Sequence, residues 1–96
     1  MRVYAELRRF AEVAGEIKQR PIDIPDDRAQ GQDTQALLNL AFYYGQNDFQ
    51  PREFYSVSAG DVIVLNDGSK WMCKAIGWEP FDPAATYDMF GNKVQA

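Results

Sequence analysis

The stretch that decides the fold runs from Tyr55 to Phe81 and reads YSVSAGDVIVLNDGSKWMCKAIGWEPF. The apolar run at residues 62–65 is typical of a central strand that is covered on both faces. Asn66-Asp67-Gly68-Ser69 follows it and is a strong hairpin signal, because glycine adopts positive φ without steric cost. The sequence therefore predicts an antiparallel hairpin with strands at about 61–66 and 70–78.

The length of the hairpin loop determines which side chains share a face, since side chains alternate along a strand with a period of two. We expect a two-residue loop, Asp67-Gly68, which directs Val62 and Val64 to the same face as Trp71 and Cys73. The neighbouring residues of each strand then share the opposite face. A loop that differs by one residue exchanges these partners.

Upstream of the hairpin, the sequence predicts a helix over residues 34–44. Asp33 precedes it and is a typical N-cap, because its carboxylate can accept hydrogen bonds from the free amides of the first turn. Apolar residues recur at the spacing of one helical face: Leu37, Leu40, Ala41 and Tyr44. Gly45 follows and suits the left-handed position that ends many helices.

The N-terminal residues allow two interpretations. Val3, Ala5 and Leu7 alternate with other side chains as in a strand, whereas the spacing of apolar residues through Ile17 also fits a helix. We predict a strand over residues 2–7, followed by helix or turn up to Gly15. Residues 17–24 predict an edge strand, because proline at position 21 cannot donate a hydrogen bond to a neighbouring strand.

The C-terminal region predicts a short helix from Pro83 to Phe90, because Asp82-Pro83 is a favourable N-cap followed by proline at the first helical position. The last few residues are expected to fray. The length of 96 residues fits a single domain over 1–96. The predicted class is α+β: a small antiparallel sheet of three to five strands, with one principal helix packed on it.

Composition indicates a soluble, folded protein. Hydrophobic residues make up 46% of the chain, which is enough for a core. The formal net charge of -4 disfavours a general nucleic-acid binder, which usually has a basic excess. A single cysteine, a charged N-terminus and the lack of long apolar runs predict a cytoplasmic protein with no membrane association.

The sequence offers no recognisable catalytic, cofactor or metal site. Histidine is absent, which removes the commonest general base and metal ligand. The aspartates around position 26 do not have the spacing of a calcium-binding loop. We expect Asp61 to support the turn before the hairpin and Cys73 to be a buried apolar residue. Ser56 and Ser58 are expected to bond the backbone, since a Ser-Lys pair would need Lys70 or Lys74, which we place on an exposed face.

Aromatic and acidic side chains are the best candidates for a partner-binding surface. We expect Tyr43, which lies off the apolar stripe of the helix, and Trp78, at a strand end, to reach the surface and anchor a partner. Asp26 and Asp27 belong to a predicted polar, acidic loop that offers a second contact. A basic group near the N-terminus carries the alternative of nucleic-acid binding: Arg2, Arg8 and Arg9.

Residues 45–81 resemble a known family. Gly45-Gln46-Asn47, the segment from Ser56 to Ile63 (SVSAGDVI) and the closing Gly77-Trp78 are similar to the YodL-like domain. In that family a Ser-Val-Ser-x-x-Asp-Val strand leads through a turn to a strand ending in Gly-Phe or Gly-Trp. The opening residues Arg2-Val3-Tyr4 also resemble the first strand of that family. The resemblance implies a small domain from a phage- or plasmid-associated accessory protein.

From these observations we predict a small non-enzymatic accessory protein of a mobile genetic element that acts by binding another protein. One alternative is an anti-defence inhibitor of a host restriction or CRISPR effector, with the acidic loop imitating phosphates. The other is a nucleic-acid-binding regulator. A homodimer is possible, because exposed sheet edges favour pairing. No cofactor is expected.

Overall fold

The computed structural model describes residues 1–8, 15–46, 56–88 and 90–95. Five strands form an antiparallel sheet: β1 Arg2–Leu7, β2 Lys18–Asp23, β3 Val62–Val64, β4 Lys70–Cys73 and β5 Trp78–Pro80. Their order across the sheet is β2-β1-β3-β4-β5. Within the described residues the helices are α1 Asp26–Ala29 and α2 Thr34–Tyr44, and a separate two-stranded sheet contains β6 Thr86–Tyr87 and β7 Lys93–Gln95. The α+β class is confirmed, with the sheet as its larger part.

The hydrophobic core lies between α2 and one face of the five-stranded sheet. Alternation along β1 sends every second side chain to this face, and α2 contributes two buried residues. The buried cluster consists of Val3, Ala5, Leu7, Ile22, Ile24, Leu38, Ala41, Val57, Ile63 and Leu65. Because its members come from both halves of the chain, the core binds the N-terminal strands to the hairpin.

Helix α2 has the predicted bounds and the predicted N-cap, with Asp33 Oδ1 accepting from the Ala36 amide at 2.8 Å. The prediction for Gly45 is wrong, because its φ of -78° is not left-handed. Glycine is required at this position because there is no room for a side chain. A Cβ atom there would lie 2.7 Å from Val57 Cγ2 and 2.8 Å from the Ala41 carbonyl oxygen. The close approach lets the end of α2 pack against the segment that leads into β3.

The hairpin forms as predicted, but its register differs by one residue. The Leu65 amide donates to the Ser69 carbonyl at 2.9 Å, and the Gly68 amide donates to the Leu65 carbonyl at 3.0 Å. The loop therefore has three residues, and Gly68 takes the left-handed conformation with φ of 85°. As a result Val62 opposes Met72 and Ile63 opposes Trp71. The predicted two-residue loop and its facial partners are wrong.

The second predicted strand of the hairpin, 70–78, is divided into two. β4 ends at Cys73, and the chain turns over residues 74–77, where the Lys74 amide donates to the Gly77 carbonyl at 3.1 Å. Gly77 adopts φ of 82°, which other residues rarely take. The chain then reverses into β5, so that Cys73 opposes Trp78 across the sheet.

The strand predicted over residues 2–7 is confirmed as β1, and β2 is the predicted edge strand. The helix or turn predicted up to Gly15 falls mainly on 9–14, outside the described residues. Met1 and Ile24 exchange both backbone hydrogen bonds, at 2.8 and 2.9 Å. Hydrogen-bonded and non-bonded pairs alternate along an antiparallel ladder, so the Tyr4–Pro21 pair is a non-bonded one. The backbone nitrogen of Pro21 therefore points away from β1. Proline therefore interrupts no bond within the sheet.

The predicted C-terminal helix is wrong. Asp82 Oδ1 accepts from the Ala84 amide at 2.9 Å, and the Ala85 amide donates to the Asp82 carbonyl at 3.1 Å, which makes a turn. Thr86 and Tyr87 then enter β6, consistent with the strand preference of β-branched and aromatic residues. A short second helix, α1, lies instead within the polar loop that was predicted around Asp26 and Asp27.

A layer of charged and aromatic side chains lies on the sheet face opposite α2. Glu6 shares this face with Val62 and Met72, which are both buried. Its carboxylate accepts from Arg8 Nε at 2.8 Å and from Lys70 Nζ at 2.9 Å. The layer continues from Arg8, whose guanidinium lies 4.5 Å from the centre of the Phe81 ring, to Tyr87, which stacks on Phe81 at 5.5 Å.

Candidate functional site

Two adjoining grooves lie on the outer side of α2 and share one residue, Asn39. The larger has a volume of about 420 Å³, and the smaller about 190 Å³. Arg28, Gln32, Ala36, Leu40 and Tyr43 complete the lining of the larger groove. Phe42, Trp78 and the turn between β4 and β5 line the smaller one. We refer to the two grooves, with Ile76 of that turn, as the Asn39 surface.

Helical geometry places the residues of the larger groove together. Ala36, Asn39, Leu40 and Tyr43 are separated by three, four and seven positions, so their side chains form a stripe along α2. This stripe is turned away from Leu38 and Ala41, which are buried against the sheet. Tyr43 is 52% exposed, and its ring meets the Tyr44 ring edge-on at 5.0 Å. The predicted surface position of Tyr43 is thus observed.

Trp78 joins the helix to the sheet at the smaller groove. It is the first residue of β5, and its indole Nε1 donates to Asn39 Oδ1 at 3.2 Å. Its ring also meets Phe42 edge-on, with 6.4 Å between the ring centres. Trp78 is half-buried and packs against the core, so only part of its ring faces the groove. The hydrogen bond to Asn39 fixes the orientation of the indole ring, and so which of its edges faces the groove.

The Asn39 surface includes several exposed large apolar side chains. Ile76 is 93% exposed at the tip of the β4–β5 turn, and Phe42 is 38% exposed. Single exposed apolar residues are ordinary, but a continuous group of them is typical of a binding surface. Tyrosine and tryptophan are also the residues that most often contribute binding energy at protein interfaces. This arrangement can bury apolar side chains of a partner.

The two acidic candidates lie elsewhere. Asp26 and Asp27 are both exposed in α1, and Asp26 forms an ion pair with the N-terminal ammonium of Met1. Neither residue lines either of the two grooves described above, although their neighbour Arg28 lines the larger one. The structure therefore brings Tyr43 and Trp78 to one surface, on either side of Asn39, and leaves the aspartates outside it.

Asp61 and Cys73, which were considered as reactive residues, are both buried and contribute to the fold. Asp61 is buried, and its Oδ2 accepts from the Ser58 amide at 3.1 Å, as expected for a residue that supports a turn. Cys73 is also buried, and burial, with a smaller contribution from the Asp61 carboxylate, raises the pKa of its thiol to about 11. A thiol of this kind is protonated at neutral pH and is a poor nucleophile.

Lys70 and Lys74 are engaged with carboxylates. Lys70 bonds Glu6, and Lys74 Nζ lies 3.3 Å from Glu79 Oε2. Within the described ranges, no three His, Cys, Asp or Glu side chains cluster closely enough to hold a metal ion. In the same ranges, no helix is both long and apolar enough to span a bilayer.

The predicted basic group near the N-terminus is paired with acidic side chains. Arg2 donates two hydrogen bonds to Asp23, at 2.7 and 3.1 Å. Arg8 donates a hydrogen bond to Glu6, and its guanidinium lies over the Phe81 ring. Arg9 lies outside the described residues. The two described arginines thus have local partners that a phosphate backbone would have to displace.

Comparisons of the chain with family models, curated proteins and solved structures give no match. The site therefore has to be interpreted from its own residues. Sequence reasoning missed Asn39 and Ile76, which complete the surface. Asn39 could have been found, because it lies one helical turn before Tyr43 and off the apolar stripe. Ile76 could not, because its exposure depends on the division of the second hairpin strand.

Proposed function

We propose that this chain is a small non-enzymatic accessory protein that binds another protein through the Asn39 surface. The observation that carries the proposal is the exposure of Phe42, Tyr43 and Ile76 at or beside the two grooves that Asn39 and the half-buried Trp78 line. A partner that covers these side chains removes apolar area from water, which is the main favourable term in most protein associations.

The rigidity of the surface supports the same function. Tyr43 and Asn39 lie on a regular helix, and the Asn39–Trp78 hydrogen bond connects that helix to β5. Side chains that are already ordered lose less conformational entropy on binding, so more of the contact energy appears as affinity. The surface thus resembles a preformed interface more than a loop that orders on contact.

We also propose that the protein belongs to a mobile genetic element, on the resemblance of residues 45–81 to YodL-like domains alone. The two alternatives draw less support from the geometry. Asp26 is paired with the N-terminus and Asp23 with Arg2, which weakens an acidic imitation of phosphates. The pairing of Arg2 and Arg8 likewise weakens a nucleic-acid interface.

The test is an affinity purification of the tagged full chain from lysate of its native host, with and without nuclease. Wild type is compared with Tyr43→Ser plus Ile76→Ser, and with Tyr4→Ser as a matched control. Tyr4 is exposed to a similar degree but lies on the sheet face opposite α2. We expect a nuclease-resistant protein that wild type and the Tyr4 variant retain and the double variant loses.

Other outcomes of this purification would contradict the proposal. Equal recovery by the double variant would place binding outside the Asn39 surface. Recovery that disappears with nuclease would favour the nucleic-acid alternative. Circular dichroism of each variant excludes unfolding as the cause of a loss.

A further inference from the structure

The hairpin loop holds an aspartate–glycine linkage in a defined set of hydrogen bonds. Asp67 Oδ1 accepts from the Ser69 amide at 2.9 Å and from the Ser69 hydroxyl at 2.5 Å. The Ser69 hydroxyl oxygen accepts in turn from Trp71 Nε1 at 3.0 Å. Trp71 packs against the core, so this relay fixes an exposed carboxylate to the interior of the fold.

The other reacting group of the linkage is fixed as well. The Gly68 amide donates to the Leu65 carbonyl at 3.0 Å, and the Leu65–Ser69 backbone bond closes the loop beneath it. Gly68 has nothing within 4 Å of the position where a Cβ would stand. No neighbouring atom therefore crowds the side of Gly68 on which a Cβ would stand, and the hydrogen bonds of the loop restrain the linkage.

An aspartyl-glycyl linkage can rearrange without an added reagent. The Gly68 nitrogen attacks Cγ of the neutral Asp67 side chain, a C–N bond forms, and the carboxyl hydroxyl group leaves as water with the proton from the Gly68 amide. The resulting five-membered succinimide is then opened by water. Attack at Cγ restores aspartate, whereas attack at the main-chain carbonyl carbon of Asp67 breaks that C–N bond and gives isoaspartate. The overall change in mass is zero.

We propose that Asp67–Gly68 is a modification site, an isoaspartate-forming linkage that the native hairpin keeps closed through the Trp71–Ser69–Asp67 relay. Attack requires the carboxyl carbon to swing toward the Gly68 nitrogen, which breaks both bonds to Ser69. It also requires the amide proton of Gly68, which the Leu65 carbonyl holds. Local opening of the hairpin is thus the step that exposes the linkage to rearrangement.

The negative charge of the Asp67 carboxylate also slows the rearrangement in the folded state. Hydrogen bonds from the Ser69 side chain and then from its backbone lower the pKa of Asp67, which further reduces the small fraction of neutral acid at neutral pH. An ionised carboxylate is a poor electrophile, because its oxygen leaves less readily than that of the neutral acid. Geometry and charge therefore both slow the reaction in the folded state.

Isoaspartate would alter the sheet beyond the loop. It routes the main chain through Cβ and Cγ, which adds one carbon to a three-residue loop that sets the hairpin register. Lys70, which follows this loop and bonds Glu6, is the first residue of β4. Modification is therefore expected to loosen the layer of charged and aromatic residues on that face of the sheet.

The test is incubation of the full chain near neutral pH, folded or held unfolded in urea, followed by proteolysis. Isoaspartate at position 67 is measured by chromatographic separation and electron-transfer fragmentation of the loop peptide. We expect the folded wild type to react at least about tenfold more slowly than the unfolded chain, the rate equivalent of about one hydrogen bond. Equal rates would overturn the proposal.

Three substitutions separate the effect of the relay from that of general folding. Ser69→Ala, kept folded, is expected to react several-fold faster than wild type, whereas Ser69→Thr, which retains the hydroxyl, is expected to react at the wild-type rate. Trp71→Phe removes the indole donor together with part of the ring that packs against the core, and should give an intermediate rate. If all three match wild type while circular dichroism shows native structure, the relay does not protect the linkage. If Ser69→Ala unfolds, the Trp71→Phe rate decides.

Discussion

Glu6 and Lys70 are 64 positions apart in the sequence, and their side chains meet at 2.9 Å. The two residues belong to β1 and β4, which are not neighbours, because β3 lies between them. Their ion pair therefore crosses the central strand of the sheet. The Glu6 side chain is only 7% exposed whereas that of Lys70 is 44% exposed, so the carboxylate end of the pair is shielded from water and salt more than the ammonium end.

Removal of the Glu6 charge is expected to destabilise the fold. Glu6→Gln leaves Arg8 and Lys70 without their shared carboxylate, and we expect a loss on the order of 2 kcal/mol in the free energy of unfolding. Urea unfolding followed by tryptophan fluorescence measures it. Glu79→Gln, which breaks the more exposed pair with Lys74, is the matched control and should cost less than about 1 kcal/mol. Equal effects of the two changes would contradict a special role for Glu6.

The contribution of Glu6 is expected to depend on pH. Burial raises the pKa of this carboxyl group, but the hydrogen bonds from Lys70 and Arg8 outweigh burial and hold it below the ordinary value of 4.5. A lowered pKa gives stability that is fully present above the unfolded pKa and is lost as pH falls through the folded pKa. The stability difference between wild type and Glu6→Gln should therefore shrink below about pH 4. A difference that persists in strong acid would argue against this ionisation.

Gly45→Ala is expected to be destabilising, although the φ of Gly45, -78°, is one that alanine adopts readily. The added methyl group would meet Val57 and the Ala41 carbonyl at distances shorter than contact. We expect a loss of about 1–3 kcal/mol from this overpacking. Gly31→Asn is the control, because Gly31 has open space and asparagine tolerates its positive φ. A neutral Gly45→Ala would mean that the end of α2 can move away from Val57.

Pro21→Thr is expected to promote self-association. In β2 the amides of alternate residues point outward from the sheet, and proline removes the middle one of them. Threonine would restore a continuous row of donors and acceptors that a second copy could pair with. Sedimentation velocity over a concentration series measures the effect. Gln19→Thr adds no donor and should remain at the wild-type oligomeric state.

Local signals made much of the fold predictable. Asp33 and the apolar spacing after it set the bounds of α2, and proline at position 21 correctly indicated an edge strand. The hairpin register could not be predicted, because Asp67-Gly68 suits both a two-residue loop and the observed loop of three. Tertiary contacts decide between the two. Arg20 illustrates the same limit, since nothing in its sequence surroundings shows that it is completely buried.

The candidate site was predictable in part, for a related reason. Helical periodicity placed Tyr43 on the surface, because position along a helix fixes direction. The partnership of Trp78 with Asn39 depends on how the sheet and helix pack, and no local pattern encodes that distance. Asp26 and Asp27, predicted as a second contact, lie outside the Asn39 surface, because their position in the sequence does not determine where α1 lies relative to the two grooves.

The Asn39–Trp78 hydrogen bond also gives the protein a built-in optical probe. Indole emission responds to loss of a hydrogen bond and to exclusion of water, and Trp78 stands at the groove while Trp71 belongs to the hairpin relay. With Trp71→Phe, the remaining emission comes from the groove alone. A change in its wavelength on titration with a candidate molecule would then report occupancy of that groove directly, with no label attached.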